Sequence, residues 1–394
     1  MAIKISEKEK CCGCTACYSI CPLKCISMKP DEEGFLYPVV DSEKCIGCGM
    51  CEKVCPVQHG FEKNAVINGY VVRNKDNDIL NSSTSGGVFS ALVNTCIKRD
   101  GYAFGVVCDK NRVIKHCEIS ADPLNSTMFK GSKYVQSYLG ETFKRIKELL
   151  SDGQYVLFSG TSCQVAGLRN YLKKEYENLL LIEVICHGTP SPQLWKKYVA
   201  FQEEKHRSRI INVNFRNKTY GYHSGTMALS FENGKTYTGS ARVDLMLRCF
   251  FKEISSRPSC YQCICKGESR PADISIYDCW HASELMKRKD DDKGYTNVLI
   301  NTSKGESALR EAYDILEVYP VDWKHAIELD GVMITRQPIP HERRAEFYIY
   351  LNEHGIWKTV NRFIPIKSMD IVIEKSKALL YKIGILRFAK KLLK

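Results

Sequence analysis

Apolar and polar positions divide the chain into three stretches of different rhythm. Residues 1–60 show short loops and little sustained periodicity. Residues 61–335 alternate strand-like apolar runs with helix-like runs, and residues 336–394 read as helical. In the middle stretch INGYVVR (67–73) and YAFGVV (102–107) read as strands, with SGGVFSALVNTCIKR (85–99) as a helix between them. QYVLFSG (154–160) is a strand followed by the helix TSCQVAGLRNYLKK (161–174). LLLIEVIC (179–186) is an apolar strand followed by the helix SPQLWKKYVAF (191–201). Strands that alternate with helices predict an α/β domain whose sheet is at least partly parallel. Residues 209–240 instead predict antiparallel hairpins, with a turn signal at Asn233-Gly234, and 272–278 and 297–302 supply later strands. The expected architecture is an α+β ferredoxin-type module (1–60), an α/β domain with a mixed sheet (61–335) and a C-terminal helical segment (336–394).

The 394 residues are 44% hydrophobic and 26% charged, ordinary values for a globular chain. No apolar run reaches the roughly 18 residues of a membrane span. The first ten residues, MAIKISEKEK, lack the apolar core of an export signal. A cytoplasmic protein is expected. Half of the net charge of +12 sits at one end: residues 371–394 hold seven Lys or Arg against one Glu. Without a nucleic-acid motif beside it, this charge does not point to nucleic acid.

Cysteine usage changes the picture most. Ten of the twenty cysteines lie within residues 1–60, and a reducing compartment disfavours disulfides. Cys11, Cys14, Cys17 and Cys21 form C-x2-C-x2-C-x3-C followed by Pro22, and Cys45, Cys48, Cys51 and Cys55 repeat it before Pro56. This is the two-cluster bacterial ferredoxin pattern, in which the fourth cysteine of each run serves the other cluster. Cys11, Cys14, Cys17 and Cys55 are therefore expected to hold one [4Fe-4S] cluster, and Cys45, Cys48, Cys51 and Cys21 the second. Zinc is the rival reading, but a four-ligand zinc site has no use for a third cysteine at the same spacing in both runs. Cys12 and Cys25 are surplus and are expected to pack.

Several middle segments resemble the beta-subunit family of coenzyme F-420 hydrogenases and dehydrogenases. They are Ser85-Gly86-Gly87-Val88, Gly160-Thr161-Ser162-Cys163-Gln164 with Ala166-Gly167-Leu168-Arg169, Cys186-His187-Gly188-Thr189-Pro190-Ser191-Pro192, Arg257-Pro258-Ser259-Cys260-Tyr261-Gln262-Cys263, and Arg270-Pro271-Ala272-Asp273-Ile274 with the later Lys304-Gly305. The resemblance implies an FAD-binding domain, with Ser85, Gly86, Gly87, Gly160 and Thr161 as cofactor-binding positions. It implies hydride exchange with a small substrate such as a deazaflavin, and single electrons passed to clusters. This chain departs from the family at Tyr277-Asp278-Cys279-Trp280-His281, on the presumed substrate side. A glycine pair opening a helix lets backbone N–H groups approach a phosphate or a ring, but such pairs also mark plain tight turns.

A second cysteine set lies in the middle domain. Cys163 follows a strand, Cys186 ends one, and Cys260 and Cys263 form CxxC in a proline-flanked loop. The C-terminal edge of a parallel sheet is where ligands bind. These four thiols are positioned to close around a third [4Fe-4S] cluster, which the resemblance also implies beside the flavin. The alternative is that Cys163 and Cys186 are buried core cysteines. Cys265 and Cys279 are nearby spares. His187 is the candidate proton donor, or a histidine capping a strand end. Asp273 and Asp278 read as solvent or capping residues.

The expected activity is that of a flavin- and iron–sulfur-dependent oxidoreductase served by a ferredoxin or another redox protein. The rival is a non-catalytic electron-transfer subunit docked on a partner enzyme. In the tail, Leu379, Ile383, Leu386 and Leu393 share one side of a helix, with Lys377, Lys391 and Lys394 away from it. Such a stripe suits peripheral contact with an anionic inner-membrane surface, or docking on the protein's own core. Gly384 in mid-helix weakens either helix by about 1 kcal/mol.

Overall fold

A computed structural model describes residues 2–120 and 127–386. The N-terminal module carries one antiparallel ribbon, β1 (Ile26–Pro30) with β2 (Leu36–Val40), and short helices Ala16–Ile20 and Met50–Lys53. The large sheet takes β3 (Asn68–Asn74), β4 (Tyr102–Cys108), β5 (Ile114–Ser120), β6 (Val156–Thr161) and β7 (Leu179–Val184). A separate three-stranded sheet follows with β8 (Ile210–Asn217), β9 (Thr226–Phe231) and β10 (Thr236–Ser240). The chain then returns to the large sheet with β11 (Ile274–Cys279), β12 (Tyr295–Ile300) and β13 (Leu316–Val321).

The eight strands run in the order β13-β3-β12-β11-β7-β6-β4-β5. The centre, β11-β7-β6-β4, is parallel, and its flanks are antiparallel. The sheet is therefore mixed, as the sequence pattern implied. Alternate residues explain why β7 opens on the apolar run Leu179 to Ile182, before the buried Glu183. Leu180 and Ile182 face the core that contains Val88 and Leu92, whereas Leu179 and Leu181 face the core built on Phe143, Phe158 and Leu168. A strand covered on both faces has no polar side to show. A third core joins the small sheet to the helices Pro192–His206, Leu245–Phe251 and Arg344–Phe363 through Trp195, Phe215, Phe231 and Phe347.

Two expectations need correcting. Asp273 is not a solvent residue: it is 5% exposed, accepts the Leu181 amide at 2.8 Å and the Thr302 hydroxyl at 2.7 Å, and so clamps β7 to β11. The tail stripe does not hold together either. Helix Ser368–Lys382 ends before Gly384, whose φ of 76° is left-handed and cannot continue the helix. Leu379 and Ile383 are exposed, whereas Leu386 turns back and is 7% exposed. The helix docks by polar groups instead: Glu374 accepts the Ser240 amide at 3.0 Å and its hydroxyl at 2.7 Å, and Tyr381 meets Tyr220 edge-on. Lys391, Leu393 and Lys394 lie outside the described residues. No helix among the described residues is long and apolar enough to cross a membrane.

A buried histidine ties β5 to the sheet centre. His116 stacks on Phe158 at 5.3 Å, its Nε2 lies 3.1 Å from the Ser159 carbonyl and its Nδ1 3.2 Å from the Ser137 hydroxyl. A carbonyl only accepts, so Nε2 carries the proton and Nδ1 accepts from Ser137. Burial pushes its pKa down from 6.5 to about 4. A depressed folded pKa gives stability that is complete above pH 6.5 and is lost as pH falls toward 4. The loss is about 3 kcal/mol if the full shift is realised. Urea unfolding of His116→Gln across that window is expected to show a flatter pH dependence than the unaltered protein. Parallel curves would show that His116 does not carry the slope.

Candidate metal centres and their junction

The two cysteine runs build the same loop twice. Gly13 and Thr15 after Cys11 have φ of 71° and 63°, and Gly47 and Gly49 after Cys45 have 68° and 72°. Left-handed residues between successive cysteines give the two loops the same curl. Cys11, Cys14, Cys17 and Cys55 are all buried. Burial and the facing thiols of Cys11 and Cys55 raise the pKa of Cys17, and burial raises that of Cys55. The other set is nearer solvent. Cys21, Cys45, Cys48 and Cys51 line a cavity of about 360 Å³ with Ile26 and Val40. Cys48 is exposed, and Cys51 Sγ accepts the Ile3 amide at 3.2 Å. Cys25 joins this cavity, 3.3 Å from Cys21 sulfur to sulfur.

The module is locked onto the sheet. A Cβ on Gly167, in the helix Ser162–Leu172, would lie 2.7 Å from Cys14 Cβ, so only glycine permits this approach. Arg257, 1% exposed, donates to the Cys11 carbonyl at 2.7 Å, the Leu36 carbonyl at 3.0 Å and Gln136 Oε1 at 2.9 Å. Arg344 pairs with Glu33, with one contact at 2.9 Å, and Asn352 donates to the Glu32 carbonyl at 3.0 Å.

At that junction a cavity with about 760 Å³ of empty space is ringed by Cys12, Cys163, Cys186, Cys260, Cys263 and Cys265. The four thiols expected from the sequence are thus brought together, with two more. Thr161 caps the helix that carries Cys163: its amide donates to Gln164 Oε1 at 3.0 Å, and its hydroxyl lies 3.3 Å from Cys163 Sγ. Cys186 lies just past β7, and Cys260 sits in a 3-10 turn, Pro258–Gln262. Burial raises Cys186, and it pushes Cys260 up to about 11. Cys263 goes the other way, to about 6, through a hydrogen bond from Cys265 and the charges of Lys266 and Arg270. Arg270 fixes the loop: it donates to the carbonyls of Cys265 at 2.8 Å and Gly267 at 2.9 Å, to Ser162 Oγ at 2.7 Å, and pairs with fully buried Glu183 at 2.6 Å. Cys279 is not part of the ring; it packs with Val71 and Tyr295. Among the described residues no three His, Cys, Asp or Glu side chains close on one point as they would around a single ion.

His187 lines the cavity, pairs through Nε2 with Glu253, and meets Phe250 edge-on at 5.1 Å. The glycine pair is elsewhere. Gly86 donates to Thr296 Oγ1 at 2.8 Å, and a Cβ there would lie 2.3 Å from the Val72 carbonyl. The sheet contact by itself therefore demands glycine. Ser85 Oγ donates to the Tyr295 carbonyl, and Gly87 caps its helix with φ of 78°. Gly160 and Thr161, at the end of β6, stand four strands from β3, or roughly 19 Å at 4.8 Å per strand. The candidate cofactor positions thus mark two ends of one sheet edge.

Between those ends lies a cluster that the sequence reading missed. Arg216, 6% exposed, donates to Asp278 Oδ2 at 3.0 Å and to the Tyr134 hydroxyl at 3.1 Å, and its guanidinium lies 4.8 Å from the Trp280 ring centre. Its Nη2 is buried without a partner. Tyr222 stacks on Trp280 at 4.6 Å and donates to Asp278 at 3.1 Å. Lys218 donates to the carbonyls of Ser85 and Lys293, each at 2.6 Å, and burial pulls its pKa down to about 8. The available sequence signal was two basic and then two aromatic residues at every second position, Arg216, Lys218, Tyr220 and Tyr222, running out of the end of β8.

Residues 10–59 match the 4Fe-4S dicluster domain, and residues 153–322 match the C terminus of the coenzyme F420 hydrogenase/dehydrogenase beta subunit. A chain of the xenon-derivatised F420-reducing [NiFe] hydrogenase complex from Methanosarcina barkeri is similar over 66% of this chain and 83% of that one, with 18% identity and a TM-score of 0.44. No curated protein matches the sequence.

The contact between Gly167 and Cys14 is testable. Gly167→Ala is expected to push the N-terminal module off its helix and destabilise the protein by about 1–3 kcal/mol, the usual range for overpacking. Urea unfolding gives the loss, and faster tryptic cleavage at Lys63 reports the loosened junction. Unchanged stability with unchanged cleavage would show that the contact yields without cost.

Proposed function

For a chain whose residues 10–59 form a 4Fe-4S dicluster domain and whose residues 153–322 match the C-terminal region of F420 hydrogenase/dehydrogenase beta subunits, we propose the function of an iron–sulfur flavoprotein oxidoreductase. The single observation that carries this reading is the thiol ring at the C-terminal edge of the parallel strands, next to the dicluster module. Cys11, Cys14, Cys17 and Cys55 hold the inner cluster, and Cys45, Cys48, Cys51 and Cys21 the outer one. Cys163, Cys186, Cys260 and Cys263 hold a third. The domains are 1–60, 61–335 and 336–394, with the cofactor edge inside the second.

FAD is assigned to the sheet edge between Ser85 and Thr161. The residues there fit an anionic group: Arg216 has a buried guanidinium nitrogen without a partner, in a setting of aromatic rings in which Tyr222 stacks on Trp280 and Tyr134 on Phe250. When bound, FAD exchanges a hydride with a small substrate and single electrons with clusters. The protein's own groups position and exclude water. Arg216 and Lys218 place positive charge at the edge, Asp278 orients Arg216, and His187, held by Glu253 on the wall of the thiol cavity, is the assigned proton donor. The substrate is a deazaflavin or another small hydride acceptor. A ferredoxin or similar redox protein exchanges electrons at the outer cluster, where Cys48 is exposed. A non-catalytic subunit role has one feature in its favour: the matching family is named for a beta subunit.

Anaerobically purified protein is expected to hold about four iron and four sulfide per cluster, so about twelve of each. Cys48→Ala and Cys186→Ala are each expected to lower iron by about a third, from different sites. Arg216→Gln is expected to lose most of the acid-released flavin while iron is kept. Zinc in place of iron would sink the cluster assignment. Iron that persists in Cys186→Ala would remove the third cluster, and iron-replete protein without flavin would remove the FAD assignment. Steady-state turnover of a diffusible hydride acceptor by the isolated chain separates an enzyme from an electron-transfer subunit.

A further inference from the structure

We propose that Arg257 is a tuning residue that makes the inner cluster of the N-terminal module easier to reduce than the outer one. This rests on the cluster ligands assigned above.

The two cysteine runs repeat one spacing, so nothing in that repeat makes them differ. Tertiary structure separates them. The outer set reaches solvent through Cys48, and Cys51 Sγ takes a single backbone amide. The inner set is buried against the sheet, and beside it lies the Arg257 guanidinium. Its Nη2 is 3.4 Å from Cys11 Sγ, and its Nε donates to the Cys11 carbonyl at 2.7 Å. Its other partners are the Leu36 carbonyl and Gln136 Oε1, and it stacks at 4.1 Å on the Tyr37 ring. None of these is a carboxylate. The ionisable group in contact with this cation is the Cys11 thiol, and the thiols of Cys12 and Cys260 act on it from the cavity side.

The electrostatics then set an order. One-electron reduction adds one negative charge to a cluster site and breaks no bond. Burial alone disfavours that charge, so the inner cluster by itself would be the harder to reduce. A fixed cation in a low-dielectric site favours the more negative state strongly, and hydrogen bonds to sulfur act in the same direction. Arg257 therefore reverses the order that burial would impose. Electrons arriving at the exposed outer cluster run inward, toward the thiol ring, one member of which, Cys260, lies three residues after Arg257.

The test is an EPR-monitored potentiometric titration of the full-length anaerobic protein with dithionite and mediators. Cys48→Ala identifies the outer signal. In Arg257→Gln the reduced-to-oxidised ratio of the inner cluster at fixed potential is expected to fall about tenfold, which is about 59 mV for a one-electron couple. The outer midpoint should stay in place, and Arg257→Lys should retain most of the inner value. If Arg257→Gln does not load iron, Gln136→Glu serves. It puts a carboxylate on the guanidinium, cancels the charge within the fold, and should lower the same midpoint. An inner midpoint that moves in neither variant, or an outer midpoint that moves equally, would overturn the proposal while leaving the cluster assignment intact. Absence of two cubane signals from the unaltered protein would overturn both.

Discussion

The structure depends on a buried guanidinium that has carbonyls, an amide and a thiol as partners. Arg257 cannot leave water unless Cys11, Leu36 and Gln136 are in place to receive its protons, because a buried charge without partners costs several kcal/mol. Those acceptors come from the cysteine loop, the β1–β2 ribbon and the segment before Leu139. One side chain thus requires three distant pieces of chain to meet. The ion pair of Arg344 with Glu33 and the glycine contact at Cys14 act on the same junction. The N-terminal module is consequently an integral part of the domain it touches, and Cys12 reaches a cavity that belongs mostly to the sheet.

The sheet edge is built by the same logic. Glu183 lies on a central strand with no exposure, which is tolerable because Arg270 and Ser275 occupy its oxygens. Arg270 in turn spends its remaining donors on the loop of Cys263 and Cys265 and on the first turn of the Cys163 helix. The thiol ring is therefore held rigid from beneath by a saturated polar network. Arg216 is the contrast: it is equally buried, yet one nitrogen is unmatched. A saturated network positions, whereas Arg216 keeps an N–H with nothing to donate to.

The local chemistry of the chain was legible wherever it depended on short range. The eight module cysteines follow from spacing. Six of the eight large-sheet strands follow from apolar runs, and β8 to β10 from their hairpin turn, but the two edge strands β5 and β13 carry no such run and were not expected. The tail was misread because helical spacing was carried across Gly384, which turns the backbone the other way. Of the two readings open for Asp273, solvent or cap, the fold removes the first, because only the fold reveals the Leu181 amide that the buried carboxylate accepts. Gly86 was readable as special but not for its cause: its nearest neighbours are the Val72 carbonyl and Thr296, 14 and 210 residues away along the chain.

The sequence by itself determined the two-run repeat of cysteines and six of the eight strands of the large sheet, since each is written within a few consecutive residues. Only the tertiary structure decided that Cys12 and Cys265 join Cys163, Cys186, Cys260 and Cys263, and that Arg216 stands between Ser85 and Thr161. It alone decided that one of two equivalent cysteine runs lies against Arg257 and the other faces water. The physical reason is distance along the chain: Arg257 and Cys11 are 246 residues apart, and no local pattern encodes the burial, dielectric and hydrogen bonding that their meeting creates.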